Sequence, residues 1–367
     1  SPARCIFKKK SATEVKSLRG VFFSGLRELP THKCHARHAY LCPAIMHARI
    51  LILFLWLLPI STTLRAQFPQ FESLTIEQGL SQGMIFDILQ TRDGFLWVAT
   101  KDGLNRYDGY NFKIFTHNPF APYSLSENTL VTLFEDSRGL LWVATESKGV
   151  DVYDYRRGYF HHFPQVHAVA FSEGRDGDLW VVTPDALIRL DIPDAWQAAL
   201  PEKADLSALV PTQKISITGL AGASERLTSI WPKEDGNFVL FSTAKYYEIS
   251  STQNVAQPLP GPVFTGEFQG AYQNGGHVWI VTDSCSVHHL YAGKTTRYVS
   301  ANSMRFGTVN FYKDGQGHTW FSFKGSLWQL EPGKPFDFSK PDWVLDQDIK
   351  CLTSDRNGNL WVGTLGY

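Results

Sequence analysis

Along this chain short apolar bursts are separated by polar, glycine-bearing turns, and the bursts repeat. Residues 92–108 read RDGFLWVATKDGLNRYD. The turn Arg92-Asp93-Gly94 leads into an apolar run over 95–100, and the turn Lys101-Asp102-Gly103 leads into a second run ending at Tyr107. Alternation puts Trp97 and Ala99 on one face and Val98 and Thr100 on the other, which predicts a β-strand that is apolar on both sides. With Trp97 as register mark, the phrase returns at Trp142, Trp180, Val239, Trp279, Trp320 and Trp361, at intervals of 45, 38, 59, 40, 41 and 41 residues. Three positions before each mark stands a glycine: Gly94, Gly139, Gly177, Gly236, Gly276, Gly317 and Gly358. Three positions after it stands Thr or Ser (Thr100, Thr145, Thr183, Ser242, Thr282, Thr364), except at the sixth mark, where Phe323 takes the place. The glycines serve tight turns that need positive φ.

A period of about forty residues with this punctuation predicts a β-propeller, one repeat per blade. The expectation is an all-β, seven-bladed propeller over 67–367 whose last blade is truncated, because the chain stops at Tyr367 just after the seventh central strand. Inner strands are expected at Ile85 and Ile88, at Leu130 and Leu133, and at Ile349 and Leu352. Outer strands are expected over 103–108 and 112–116 in the first blade, and over 149–155 and 159–163 in the second. Residues 68–75 can supply a strand that helps complete the last blade from the other end of the chain, removing an open edge. Blades pack face to face, so a large Trp beside a small Ala99, Ala144 or Gly363 suits interlocking. Burying one Trp removes about 150–250 Å² from water, a gross gain of about 4–6 kcal/mol before entropy. Blade four departs from the pattern: its mark is Val239, and the excess of the longest interval lies over 191–216. There Asp194 can cap a short helix that runs to Leu200 and is stopped by Pro201. This insertion reads as a solvated decoration, with a recognition role as the alternative.

Ahead of the repeats the picture changes. Residues 1–45 show no sustained periodicity and begin with Ser1, so they read as an upstream extension that is disordered or not natively translated. Their cluster of His32, Cys34, His35, His38 and Cys42 fits no zinc spacing and is not read as a metal site. Residues 46–66 have the outline of a secretory signal peptide: Met46, then His47 and Arg49, an apolar run over 50–58, Pro59, and a cleavage point after Ala66. A membrane span is the rival reading, but the apolar run falls short of the roughly 20 residues a span needs.

The formal charge of zero hides an asymmetry. Residues 67–367 hold 24 of the 35 basic and 33 of the 35 acidic residues, a net of −9, which argues against non-specific nucleic-acid binding. Only Cys285 and Cys351 of the five cysteines fall in the repeat region, and they read as two separate thiols. The sequence holds no G-x-S-x-G elbow, Walker loop, H-E-x-x-H or Cys-x-x-Cys. Carboxylates such as Asp93, Asp102 and Asp176 sit in turns, where they fix the turn. His277 and His318 share a place two before the mark, which Phe95, Leu140, Asp178, Asn237 and Asn359 fill elsewhere, so both read as exposed turn residues. His161-His162 and His288-His289 fall in outer-strand regions and read as surface.

The phrases GLSQGMIFDILQTRDGFLWVATKDGLNRYDGYNFKIFTHNP (79–119) and LFEDSRGLLWVATESKGVDVYD (133–154) resemble the two-component regulator propeller repeats. Those repeats form the periplasmic sensor region of hybrid two-component histidine kinases, common in Bacteroidetes. In that family two seven-bladed propellers usually precede a sandwich domain, a membrane span and a cytoplasmic kinase, so the chain looks like a fragment covering a signal peptide and most of a first propeller. The resemblance implies a small-molecule or oligosaccharide ligand, downstream sensor and kinase domains in the same polypeptide, a homodimer when full length, and a periplasmic location with an inner-membrane anchor. A streptogramin-inactivating propeller lyase has similar repeats and uses histidine chemistry, which keeps a secreted lyase or hydrolase as the alternative function. No catalytic residue, metal ligand or cofactor is assigned. Ligand-binding residues are not assigned either, and the loops between blades and the central mouth of the ring are the expected places.

Overall fold

The computed structural model describes residues 6–9, 71–190, 192, 213–215, 225–233, 235–243, 246–250, 256–258, 268–274, 277–282, 286–292, 294–299, 309–330, 337 and 339–366. Ser1–Lys8 and Glu72–Tyr367 belong to one compact unit; the other, Lys9–Phe71, lies outside the described residues except at its two ends. The expected signal peptide, the early His/Cys cluster, the helix over 194–200 and Cys285 all lie outside the described residues.

Six antiparallel sheets are each built from four consecutive strands. Blade one comprises Ile85–Gln90, Leu96–Thr100, Gly103–Tyr107 and Phe112–Phe115. Blade two comprises Leu130–Glu135, Leu141–Thr145, Val150–Asp154 and Tyr159–Phe163. Blade three holds Ala170–Glu173, Leu179–Val182, Leu187–Leu190 and Gln213–Ile215. Blade four holds Leu227–Pro232, Phe238–Ser242, Tyr246–Ile249 and Ala256–Pro258. Blade five runs through Phe268–Asn274, His277–Thr282, Ser286–Tyr291 and Lys294–Val299. Blade six runs through Val309–Lys313, Thr319–Phe323, Ser326–Leu330 and Trp343–Val344. The remaining strands make a composite sheet in the order Phe71–Leu74, Ile6–Lys9, Leu360–Thr364, Ile349–Ser354. The fold is therefore an all-β propeller, as expected, but six blades rather than seven are made wholly from their own consecutive strands. The last two strands find partners on the N-terminal side. One of those partners, Phe71–Leu74, falls within the stretch expected to close the ring. The other, Ile6–Lys9, comes from the segment read as an unstructured extension.

Every mark lies in the second strand of its sheet and is buried, from 0 % exposure at Trp97, Trp142 and Trp180 to 7 % at Trp279. Each apolar cluster bridges two neighbouring sheets. Trp97 and Ala99 pack with Leu141, Val143 and Tyr153 of blade two. Trp142 and Ala144 pack with Val181 and Ile188 of blade three, and Trp180 with Phe238 and Tyr247 of blade four. Trp361 of the composite sheet packs with Ile88 and Val98 of blade one. These four indoles are thus wedges driven into the next blade, and the large-beside-small alternation read from sequence is the shape that allows it.

Two further regularities are explained by local chemistry. Gly94 at φ 92 and Gly358 at φ 77 hold the left-handed conformation their turns require. In blades one and two the hydroxyl three after the mark closes the following turn: Thr100 donates to the Gly103 carbonyl at 2.9 Å, and Thr145 to that of Gly149 at 2.9 Å. The inner strands of blades one, two, four and five and of the composite sheet carry a one-residue bulge near their start, which bends the strand locally.

Candidate functional site

The turns between first and second strands share one face of each blade and carry a recurring polar arrangement. In three sheets an aspartate six residues before the mark accepts the indole N–H. Trp142 Nε1 donates to Asp136 at 3.1 Å, Trp320 to Asp314 at 2.9 Å, and Trp361 to Asp355 at 3.0 Å. The other oxygen of the same carboxylate accepts two turn N–H groups, as Asp136 does from Arg138 at 3.1 Å and Leu140 at 2.8 Å. In blade one Thr91 takes this role, with Trp97 donating to its hydroxyl at 3.0 Å. Burial pushes the Asp136 carboxyl above its ordinary value despite these donors. Burial acts upward on Asp314 too, but the bonds from Trp320 and His318 outweigh it and hold that carboxyl low. The sequence reading attributed turn aspartates to turn geometry alone and missed this coupling to the mark; the recurring spacing of Asp136, Asp314 and Asp355 was the available signal.

Arginines in the same turns reach the neighbouring sheet. The Arg92 guanidinium donates to the Ser137 carbonyl at 2.6 Å and also to that of Asp136. Arg138 donates to the carbonyls of Gly177 at 2.7 Å and Ile192 at 2.8 Å in blade three. Arg356 of the composite sheet donates from its backbone to Gln90 at 2.8 Å and from its side chain to the Thr91 carbonyl at 3.3 Å.

On this face, between blade one and the composite sheet, lies a cleft of about 290 Å³. Glu72, Gln90, Tyr107, Asp108, Asn357 and Trp361 are among its lining residues. The Tyr107 and Trp361 rings meet edge to face at 6.2 Å. Asp108 accepts the N–H groups of Asn111 at 2.7 Å and Tyr110 at 2.8 Å, which hold its carboxyl below the ordinary range. Asp355, also on the wall, is spent on Trp361 and Asn359. The cleft offers oxygen acceptors, amides and ring edges. That set can hold a small polar molecule but pairs no nucleophile with a base.

Toward the axis, Asp87 on the inner strand of blade one accepts from Thr132 Oγ1 at 2.8 Å and from the Leu133 N–H at 2.8 Å, tying it to blade two. Burial raises its carboxyl above the ordinary value, although these bonds act against it. Cys351 occupies the matching place in the composite sheet; it is a buried free thiol that burial pushes well above the ordinary value. Among the described residues no group of three or more His, Cys, Asp or Glu could hold a metal ion.

The histidines are better integrated than their spacing suggested. His277 opens the central strand of blade five rather than lying in the turn, and its Nδ1 meets Nε2 of His289 at 2.8 Å. Tyr291 stacks on His277 at 3.8 Å, and Trp279 on His289 at 3.9 Å. Burial and His277 hold His289 below the usual imidazole value. His318 pairs with Asp314 at 3.0 Å, which leaves the two repeat-equivalent histidines with different partners on separate blades. His288 is buried at 7 % exposure, and burial lowers it. His161 and His162 flank one another on the outer strand of blade two, where His162 bonds Asp151 at 2.7 Å. Each of these groupings belongs to one blade, and none converges on the cleft.

A family model described as "Two component regulator propeller" matches residues 79–102, 124–147 and 344–366. A 56-residue stretch is 50% identical to "Histidine kinase P4" of Formosa agariphila; it makes up 15% of this chain and 4% of that protein. Solved structures share the fold. The extracellular domain of a hybrid two-component system from B. thetaiotaomicron matches at TM-score 0.61 and 22% identity, over 80% of this chain and 40% of that one. A second such domain matches at TM-score 0.60 and 15% identity, over 77% and 40% of the two chains. Virginiamycin B lyase from Staphylococcus aureus matches at TM-score 0.55 and 10% identity, over 77% of this chain and 95% of that one. The chain thus spans well under half the length of the two-component proteins it matches. The phrases first noticed around Trp97 and Trp142 and the stretch around Trp361 thus match two-component regulator propeller repeats, and they lie in a β-propeller.

Proposed function

We propose that this propeller is the extracytoplasmic sensing module of a two-component signalling protein. It binds a small polar ligand, of which an oligosaccharide fragment is the leading class, and biases a kinase carried elsewhere in the full polypeptide. The observation that carries this reading is the family match at three separate repeats, including the two with the most regular phrase. On this reading residues 46–66 export the chain, the full protein is anchored in the inner membrane as a homodimer, and the composite sheet serves as a seventh blade that closes the ring. A signal passes only if the ligand prefers one of two states, since equal affinity shifts nothing.

A secreted enzyme on the same fold is the second reading, favoured only by the shared architecture with the lyase. One experiment separates the two. The purified chain is titrated with a panel of acidic and neutral oligosaccharides by calorimetry, and each mixture is then analysed by mass spectrometry. Saturable binding with every oligosaccharide recovered intact supports the sensor. New chain ends or eliminated products would establish the enzyme, and a panel without a binder would remove the carbohydrate assignment.

A further inference from the structure

The loop over 117–125, between blades one and two, folds back along the outer strand of blade two. Its Tyr123 carbonyl accepts the Phe160 N–H at 2.9 Å, and its Tyr123 ring stacks on Tyr159 at 4.9 Å. At its tip Phe120 is 93% exposed. His162, on that outer strand, sits between the loop and the sheet. Its Nδ1 lies 2.7 Å from Oδ1 of Asp151, and its Nε2 lies 3.0 Å from the carbonyl of Pro122. Oδ2 of the same Asp151 accepts the Ser126 N–H at 2.8 Å, and the Asp151 side chain is wholly buried.

Both oxygens that face the ring are acceptors when Asp151 is ionised. A carbonyl has no proton to give, and a carboxylate has none. A neutral imidazole carries a single N–H and can satisfy only one of them; the imidazolium carries two and satisfies both. From this geometry we infer that His162 is a proton-operated latch: its imidazolium form ties the 117–125 loop to blade two, and loss of the proton frees the loop tip. The neutral ring keeps its donor toward Asp151, the charge-assisted and stronger bond. The Pro122 carbonyl then faces a lone pair, and the tip is released.

The surrounding charges fit this assignment. On its own strand His162 adjoins His161, whose Nε2 is 3.9 Å from Asp154 of the preceding strand, while Arg157 in the connecting turn bonds the same Asp154 at 2.6 Å. Burial lowers His161 below the ordinary imidazole value. The loop side contributes the Pro122 carbonyl, Tyr123, and His117, whose Nδ1 is paired with the Leu125 carbonyl at 2.7 Å. The Asp151 bond raises His162 above the ordinary imidazole value against the opposing effect of burial. The sign follows: a raised folded-state value means that the stabilisation is complete below the ordinary value of 6.5 and is lost as pH rises through the folded-state value.

The test uses the full chain, with selectively labelled histidine for NMR and amide hydrogen exchange from pH 5 to 9. The His162 ring nitrogens should both carry protons at the acid end and titrate above the ordinary imidazole value of 6.5. Exchange at Ala121 and Ser124, corrected for the intrinsic pH dependence, should quicken about tenfold across that titration, the scale of one charge-assisted bond. Amides of the central strand of blade two should not change. In Asp151→Asn the midpoint should move to lower pH, and in His162→Gln the step should vanish. A singly protonated His162 throughout the range, with the proton of the pair on Asp151, would overturn the latch. So would loop exchange that ignores the His162 titration.

Discussion

At the scale of single residues, the indole and the carboxylate six positions before it act as one unit. Trp142 is fully buried among residues of blades two and three, so Trp142→Ala opens a cavity in the seam and should cost about 3–5 kcal/mol in urea denaturation. Its partner makes a sharper prediction. Asp136→Ala leaves the Trp142 indole and the N–H groups of Arg138 and Leu140 facing no acceptor, a loss of about 2–4 kcal/mol. Asp136→Thr should cost about half as much, because Thr91 already accepts an indole N–H in blade one. Equal losses for the two variants would mean that the carboxylate matters through something other than its accepting oxygens. Blade three shows the unit half-built: Gly174 stands where the acceptor would be, and the buried Trp180 Nε1 finds no hydrogen-bond partner among the described residues. The carboxylate of the nearby Asp176 is engaged by Arg189 at 2.8 Å.

At the scale of elements, the turn arginines decide how firmly one blade holds the next. Arg138 keeps only 10 % of its side chain exposed while bonding two carbonyls of blade three, whereas Arg92 is 54 % exposed. Arg138→Ala should therefore destabilise by about 1–3 kcal/mol and Arg92→Ala by less than about 1 kcal/mol, compared by urea midpoints. The reverse order would show that these staples are not graded by burial. The strands themselves were legible because each mark imposes its own local signals: glycine for the turn, alternation for the strand, Thr for the following turn. Even Val239, which lacks the ring, falls in the central strand of blade four. What could not be read depends on register between strands. His277 and His289 are twelve residues apart and become partners only because Trp279 aligns with His289 across the pair. The Asp151–His162 contact arises likewise from adjacent strands in register. Ile6–Lys9 carries no repeat phrase at all, so its place beside Leu360–Thr364 had no signal to announce it. The cleft is assembled from three separated segments, and its walls are individually ordinary turn residues.

At the scale of the whole molecule, the question is whether the composite sheet closes the ring, and Gly363 sits at the seam where that can be measured. Gly363 lies in the central strand of that sheet, and a Cβ there would sit 2.4 Å from Cys351 Sγ and 2.7 Å from Cγ2 of Ile85. The first contact lies within the sheet; the second is with blade one. Other bonds cross the same seam: Gly366 donates to the Gly83 carbonyl at 3.1 Å, and Arg356 reaches Gln90 and Thr91. Gly363→Ala alone should cost about 1–3 kcal/mol by overpacking, but both contacts contribute. Cys351→Ala removes the contact inside the sheet. If the seam is closed in solution, Gly363→Ala in that background should still destabilise, and adding Ile85→Ala should recover part of the loss as a positive coupling energy in a double-mutant cycle. If the ring stands open there, the side chain of Ile85 has no hold on position 363, and the coupling is zero within error. The measurement therefore reads ring closure itself, because the two residues are far apart in the chain and meet only where the last sheet docks against the first blade.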